Sequence, residues 1–362
     1  MGGASYFERL RTHTVVSDTR PVRAGEEISL AALNAWLADA APPIGVVEQI
    51  AQFPGGFSNL TYLLVTSSGE WVLRRPPRGV GKGPAHNMAR EYRILHVLAE
   101  RGVAVPRPMV LCEDEAPIGA PFYVMERVRG TILRAVPDPA PSAAQFGALS
   151  ESFVRTLASI HAIGADDPAI AALGKPTGYV ARQVAGWTQR WEASRTHAVP
   201  AMDAVAAWLA ANQPADAGSV LVHNDFKYDN LVLDPADPSR IVAVLDWEMA
   251  TLGDPLLDVG TAMGYWIEVG DHPAFRALGL GVTALPGNFT RAQLWARYLA
   301  LTGRAPVDPT FYWTFGLFKI AVIAQQIFAR YRGGLTTDAR FARLGDAVAL
   351  LAATAHAALP TN

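Results

Sequence analysis

Residues 221–233 read LVHNDFKYDNLVL, and residues 241–248 read IVAVLDWE. Apolar runs of this length, bounded by polar side chains, are typical of short buried strands joined by loops. The DPADP segment between the two runs is a strong turn signal. The order H-x-D-x-x-x-x-N, followed by an Asp at the end of the next strand, therefore predicts a polar loop. It also predicts a hairpin that returns Asp246 to the side of Asn230.

This loop has the residue types that phosphoryl transfer requires. One carboxylate must orient the attacking hydroxyl and accept its proton, and oxygen ligands must hold Mg²⁺ against the phosphates. We expect Asp225 to be the base, and Asn230 and Asp246 to be the metal ligands. The alternative is that all three are turn and cap residues, which Asp and Asn also favour. We prefer the catalytic interpretation because the whole ordered set lies between two apolar strands.

The composition excludes several other classes of protein. The chain has 362 residues, a net charge of -2 and 18% charged residues, which is typical of a folded chain with two lobes. We expect neither a nucleic-acid nor a membrane partner, because no long Lys/Arg run is present. The single cysteine, Cys112, excludes an intrachain disulfide, and the N-terminus lacks an apolar signal core, so we predict a cytoplasmic location. The oligomeric state stays open.

The secondary-structure pattern changes along the chain. We predict a β-rich N-terminal lobe at residues 1–128, in which residues 1–24 are irregular and mobile, and a mainly helical lobe at residues 129–362. Phe311 to Ile327 is apolar but interrupted by Lys319 and two Gln, which indicates a buried helix, too polar to span a membrane. Further predicted elements are helices at 29–41, 85–101, 146–161 and 180–195, strands at 61–65, 71–75, 110–112 and 122–125, and a loop at 281–287.

Together these motifs resemble the aminoglycoside phosphotransferase family of kinase-like enzymes, whose core motif is H-G-D-x-x-x-x-N. The subgroup related to the kinase-like domain fused to some acyl-CoA dehydrogenases is most similar. That similarity rests on GGFSN at 55–59, LRRPP at 73–77, REY at 90–92, MER at 125–127, LDWE at 245–248 and GDP at 253–255. The resemblance implies an α+β, two-lobed, protein-kinase-like fold that uses ATP and Mg²⁺. Asn224 stands where the family usually has Gly, and Asn tolerates a positive φ second best.

The resemblance also implies where the nucleotide would bind in the N-terminal lobe. A glycine-rich loop would cover the phosphates with its backbone N–H groups. The next strand and the segment between the lobes would line the adenine pocket and read the adenine edge through backbone groups. The residues concerned are Gly56, Phe57, Ser58 and Asn59 in the loop, Val72 on the strand, and Met125, Glu126 and Val128 between the lobes.

Arg74 occupies the strand position at which kinases carry a Lys that grips the phosphates. The period-two alternation places Arg74 on the face of Val72 and Arg75 on the other face. Glu91 lies on the packed side of the following helix, so the kinase pattern makes it the ion-pair partner of Arg74. The alternative is that these charges are exposed at the strand edge and on the helix surface.

Two further polar residues would support the loop, and a third, Lys227, would act in catalysis. In this family the His before the catalytic Asp, here His223, holds the loop. Asp258 resembles the Asp that accepts backbone N–H groups of that loop. Lys227 would neutralise the γ-phosphate, as a Lys at this position does in protein kinases, or would be a solvated loop residue.

The sequence thus predicts a kinase that phosphorylates a small-molecule hydroxyl. A polycationic aminoglycoside acceptor would need a strongly acidic pocket, and the helical half has no dense acidic run. The subgroup resemblance favours a hydroxyacyl or other lipid-like acceptor. A nucleotide-binding pseudokinase or scaffold is the second hypothesis, supported by Arg in place of Lys. A protein kinase is disfavoured because no Ala-Pro-Glu segment follows Asp246.

Overall fold

The structure is a computed structural model that describes residues 18–54, 59–77, 86–136, 139–276, 281–336 and 339–360. It divides into two compact units, Met1–Arg129 and Gly130–Asn362. Residues 55–58 of the predicted glycine-rich loop and residues 1–17 of the predicted mobile segment 1–24 lie outside the described residues. In the described part of that segment, Arg20 exchanges two backbone hydrogen bonds of 2.8 Å with Gln52 of β1, so this part is held against the sheet.

The N-terminal unit is built on an antiparallel five-stranded sheet with the strand order β1-β2-β3-β5-β4. Its strands are β1 Val47–Gln52, β2 Leu60–Thr66, β3 Gly69–Arg75, β4 Pro108–Cys112 and β5 Phe122–Glu126. Its helices are α1 Leu30–Ala40 and α2 Met88–Glu100. Both helices begin at a side-chain cap, because Ser29 accepts the N–H of Ala32 and Asn87 accepts that of Arg90, so α2 begins at Met88, three residues after its predicted start.

One side of this sheet forms the core of the unit with α1. Leu33 and Leu37 of α1 are fully buried, as are Tyr62 and Leu73 of the central strands. Alternation along β3 sends neighbouring side chains to opposite faces of the sheet. Arg75 is therefore buried on the core face, where it donates to the hydroxyl of Tyr62 at 2.8 Å.

The C-terminal unit is mainly helical and contains two small two-stranded sheets, β6-β9 and β7-β8. Its strands are β6 Val220–Val222, β7 Leu231–Leu233, β8 Ile241–Val244 and β9 Thr251–Gly253. Its helices are α3 Ala143–His161, α4 Pro168–Ala171, α5 Tyr179–Ser194, α6 Pro200–Ala211, α7 Pro255–Gly264, α8 Pro273–Arg276, α9 Arg291–Leu301, α10 Thr310–Arg332 and α11 Leu344–Ala357.

Helices α7 and α10 pack unusually close to one another. A Cβ atom added at Gly316 would lie 2.2 Å from the carbonyl oxygen of Gly260, so the two backbones can touch only because both residues lack side chains. This close crossing brings α10 against the segment that follows β6.

By length and composition α10 could cross a membrane, so the prediction that its sequence is too polar for a span is wrong. In the fold, however, 78% of the apolar 18-residue stretch of α10 is buried, which agrees with the prediction of a buried helix.

Two smaller corrections concern local structure. The predicted loop at 281–287 contains a 3₁₀ helix, Gly281–Ala284, and the sequence analysis did not identify β1 and α6 as separate elements.

Candidate active site

The polar loop predicted from the sequence connects β6 to β7 through a 3₁₀ turn at Tyr228–Asn230. Asn224, at its start, adopts a left-handed backbone with φ 67°. This agrees with the expectation that Asn there would tolerate a positive φ. Asp246, after β8, also has a positive φ of 66°. Strained non-glycine residues persist only where their surroundings hold them, and such sites cluster at functional positions.

Asp258 on α7 holds the beginning of the loop, as the sequence predicted. Its carboxylate accepts the backbone N–H groups of His223 and Asn224, each at 2.7 Å. It also contacts Nε2 of His161 at 3.1 Å, and its side chain is fully buried. Burial alone would raise the pKa of Asp258, but the His161 contact and nearby positive charge hold it below its usual value. The loop is therefore anchored to an ionised carboxylate.

His223 holds the loop from inside. Its Nε2 contacts the carbonyl oxygen of Leu245 at 3.0 Å, and its Nδ1 accepts the N–H of Asp225 at 3.2 Å. This pair of hydrogen bonds is satisfied by one neutral tautomer, with the proton on Nε2. His223 therefore connects the loop to the strand end before Asp246.

The carboxylate of Asp225 is surrounded by donors. Lys227 Nζ lies 2.9 Å from Oδ2, and Asn230 Nδ2 donates to the same oxygen at 3.0 Å. The hydroxyl of Tyr265 also favours the charged form of this carboxylate. Although burial alone would raise the pKa of Asp225, the charge and the hydrogen bond of Lys227, together with the Tyr265 hydroxyl, lower it, so the group is ionised at neutral pH.

Lys227 is not a solvated loop residue. Its side chain is 23% exposed, contacts Asp225 and lies 4.5 Å from the ring centroid of Tyr265. Burial alone would lower the pKa of Lys227, but the fields of Asp225, Asp229 and Asp246 raise it. Whether this cation meets a phosphate stays a prediction.

The hairpin pairs the two chain segments that carry the expected metal ligands, Asn230 and Asp246. Strand β7 pairs with β8, and the N–H of Leu245 donates to the carbonyl oxygen of Asn230 at 2.8 Å. The side-chain hydrogen bonds of Asn230 among the described residues use Nδ2, so its amide oxygen is directed away from Asp225. An amide oxygen and a carboxylate are ligands that suit Mg²⁺, so the residues present fit the ion.

In the N-terminal unit, Arg74 and Glu91 form the expected ion pair at 3.2 Å. Their side chains are 12% and 4% exposed, so the alternative of solvated surface charges is wrong. Arg75 faces the opposite side of the sheet, as the alternation predicted. A role for Arg74 in gripping phosphates stays a prediction.

The other residues expected at the nucleotide differ in burial and in their hydrogen-bond partners. Val72 and Met125 pair across β3 and β5 and are both buried. The N–H of Glu126 donates to the carbonyl of Arg107 at 2.9 Å, so only its carbonyl oxygen could read an adenine edge. Asn59 is buried against His86, with 3.0 Å between Oδ1 and Nδ1. Gly56, Phe57 and Ser58 lie outside the described residues, and Val128 is half-buried.

The sequence analysis missed several residues that surround this loop. The Tyr265 hydroxyl favours the charged form of Asp225, and His161 contacts Asp258 at 3.1 Å. Lys319 donates to the loop at Asn224, and its only signal in the sequence was a charge inside an apolar run.

Known proteins resemble this chain over most of its length. Residues 49–301 match the family model described as the phosphotransferase enzyme family (APH). Acyl-CoA dehydrogenase family member 10 of Mus musculus is 35% identical over 332 residues, which are 90% of this chain and 31% of that protein. The chain therefore spans about a third of the length of this curated relative.

Solved structures confirm the predicted α+β, kinase-like fold. A candidate aminoglycoside phosphotransferase from Ralstonia eutropha is 32% identical, with a TM-score of 0.78, over 92% of this chain and 98% of that one. The GDP complex of aminoglycoside 2'-phosphotransferase-IIIa is 15% identical, with a TM-score of 0.61, over 90% and 97% of the two chains. With its family model, its fold and its H-x-D-x-x-x-x-N loop in agreement, this chain belongs to the phosphotransferase enzyme family.

Proposed function

We propose that this protein transfers the γ-phosphoryl group of ATP to a hydroxyl group of a small molecule, with Mg²⁺ as cofactor. The observation that carries the proposal is the state of Asp225, an ionised carboxylate held between Lys227 and Asn230. An ionised carboxylate with a lowered pKa is a weak base but a strong hydrogen-bond acceptor. Its role is to orient the acceptor hydroxyl for in-line attack and to take the proton as the bond to phosphorus forms.

Asn230 and Asp246 would hold the metal ion. An ion held by these two residues would supply positive charge that offsets the negative charge of the phosphates. The chain supports this role by fixing Asp246 in a left-handed conformation and by tying Leu245 to Asn230. Arg74, held by Glu91, would contact the α- and β-phosphates in place of the usual Lys. A related fold in complex with GDP supports use of a nucleotide as donor.

For the acceptor, we propose a hydroxyacyl or other lipid-like molecule. This part of the proposal rests on the acyl-CoA dehydrogenase relative and on the absence of a dense acidic run in the sequence of the helical half. A polycationic aminoglycoside would bind such a surface weakly because its charges would lack partners. The cytoplasmic location stays a prediction.

The first experiment separates nucleotide binding from transfer. Thermal melting is recorded for the wild type, Asp246→Ala and Asp225→Asn, with ATP or GTP and with or without Mg²⁺. The wild type and Asp225→Asn should be stabilised by ATP only when Mg²⁺ is present, and Asp246→Ala should lose this response. A wild type that shows no response to either nucleotide would refute the proposal.

The second experiment measures ADP release with hydroxyacyl compounds and with aminoglycosides. Asp225→Asn should bind nucleotide normally but release ADP at least about a hundredfold more slowly, the usual contribution of a positioned base. Release only with aminoglycosides would refute the lipid-like acceptor. If nucleotide binds but the wild type and Asp225→Asn release ADP equally slowly with every acceptor, the scaffold hypothesis gains.

A further inference from the structure

Lys319 places a buried positive charge against the catalytic loop. Its side chain lies on α10, and the residue is 1% exposed. Its Nζ donates to the backbone carbonyl oxygen of Asn224 at 2.7 Å and contacts the side-chain Oδ1 of the same residue at 3.2 Å. The ring centroid of Trp187 lies 5.6 Å away. Burying an ammonium group costs free energy, and the proposed transfer reaction assigns this one no task.

The carbonyl that Lys319 contacts belongs to the peptide group joining Asn224 to Asp225. Asn224 has a left-handed backbone, which a non-glycine residue keeps only under constraint. The carboxylate of Asp258 accepts the backbone N–H of Asn224. The side-chain Nδ2 of Asn224 donates to the hydroxyl of Tyr179 and to the carbonyl oxygen of Met249. Lys319 holds the carbonyl side of this residue. The ammonium therefore fixes the orientation of the peptide group that leads directly into Asp225.

The packing of α10 brings Lys319 within reach of this carbonyl. Gly316 precedes Lys319 by one helical turn, so the two residues lie on the same side of α10. The close contact between Gly316 and Gly260 presses that side against α7, from which Asp258 reaches the loop. The loop is thus held by an anion from α7 and a cation from α10.

We propose that Lys319 is a positioning residue whose ammonium group holds the Asn224 peptide and thereby aims the carboxylate of Asp225. This inference rests on the proposed function only in treating Asp225 as the residue that orients the acceptor. The interaction with the loop itself is independent of which molecule is phosphorylated.

The charge on Lys319 changes at a pH where ordinary lysines stay protonated. Burial lowers the pKa of Lys319 to about 8, against the fields of Asp258 and Asp225, and the positive charges of Lys227 and Arg190 lower it further. Hydrogen bonds from a charged donor are about twice as strong as neutral ones. Deprotonation should therefore loosen the loop as the pH rises through about 8.

Hydrogen–deuterium exchange tests the loop directly, without any assay of activity. Peptides covering residues 220–228 are compared in the wild type, in Lys319→Met and in Gln325→Met, at about pH 7 and about pH 9, after correction for intrinsic exchange. Gln325 is the matched control, because it is a buried polar residue of the same helix that donates to Ser194 and not to the loop.

In Lys319→Met the loop should exchange about tenfold faster at pH 7, and the corrected rate should not change at pH 9. The wild type should lose protection between the two pH values, and Gln325→Met should follow the wild type. Equal protection in the wild type and Lys319→Met at both pH values would overturn the proposal. If Gln325→Met raised the exchange of the loop as much as Lys319→Met does, the proposal would also be overturned.

Kinetics supply a second readout. Lys319→Met should lower kcat for ADP release about tenfold, leave KM for ATP within about twofold, and abolish the decline of kcat above about pH 8. An unchanged kcat, or a raised KM with kcat intact, would overturn the positioning role. If the wild type releases no ADP with any acceptor, the proposed function fails, and the exchange data still decide whether Lys319 orders the loop.

Discussion

Replacement of Asp258 by Asn should destabilise the C-terminal unit and disorder the loop. The Asp258 carboxylate accepts two backbone N–H groups at 2.7 Å and contacts His161 at 3.1 Å. An amide has one acceptor oxygen, so one buried N–H would face an NH₂ group and the charge opposite His161 would be lost. Breaking such a buried charged cluster costs about 3–5 kcal/mol. For a unit of this size the melting temperature should fall by about 6–20 °C.

The pH dependence identifies the carboxylate as the cause. The pKa of Asp258 is lowered in the folded state, so its stabilisation is present above the unfolded pKa of about 4 and is lost as the pH falls through the folded value. The difference in melting temperature between wild type and Asp258→Asn should therefore stay constant from about pH 8 to pH 5 and narrow below about pH 4.

Glu151→Gln is the control for this prediction, since Glu151 forms a partly exposed ion pair with Arg297. Such a pair contributes at most about 1 kcal/mol, so this variant should melt within a few degrees of the wild type. Differential scanning fluorimetry is sufficient to measure both variants. A melting temperature of Asp258→Asn within about 2 °C of the wild type, or a difference that already narrows between pH 8 and pH 6, would refute the reasoning.

Three other outcomes follow from the packing and the charges. Glu91→Gln should remove the carboxylate that pairs with the buried Arg74, and so lower the melting temperature of the N-terminal unit and weaken ATP binding in calorimetry. Arg74→Lys should retain most of the stability and most of the ATP affinity, and an unchanged ATP affinity in Glu91→Gln would count against the phosphate-gripping role of Arg74. Gly316→Ala should cost at least about 1–3 kcal/mol in denaturant titrations, because its Cβ would lie 2.2 Å from a backbone oxygen, whereas Gly333→Ala, with its nearest atom at 3.3 Å, should be nearly neutral, and equal effects would contradict the close helix crossing. Because the folded-state pKa of Lys319 is lowered from 10.5 to about 8, the unfolded chain binds more protons between these values, so the global stability of the wild type should rise by up to roughly 3 kcal/mol relative to Lys319→Met over this pH range. This gain is compatible with a weaker local contact to the loop, because an uncharged amine costs less free energy to bury than an ammonium group; a constant difference in melting temperature would show that Lys319 does not titrate there.

The sequence alone was sufficient to predict the loop and the hairpin that carry the candidate site residues. The spacing of His223, Asp225 and Asn230 between two apolar runs predicted the loop, and the turn after Leu233 predicted the hairpin. Period-two alternation along β3 placed Arg74 and Arg75 on opposite faces, as the structure shows. These features are local: they depend on backbone periodicity and turn chemistry, which neighbouring residues determine.

The tertiary structure decided which distant groups hold that loop. Lys319 meets Asn224 across 95 positions of sequence, and His161 meets Asp258 across 97. Neither pair follows from any periodicity, because the contacts depend on how closely whole helices pack. In the sequence Lys319 was only a charge that interrupted an apolar run; the close crossing of α7 and α10 at Gly260 and Gly316 is what turns that charge toward the loop.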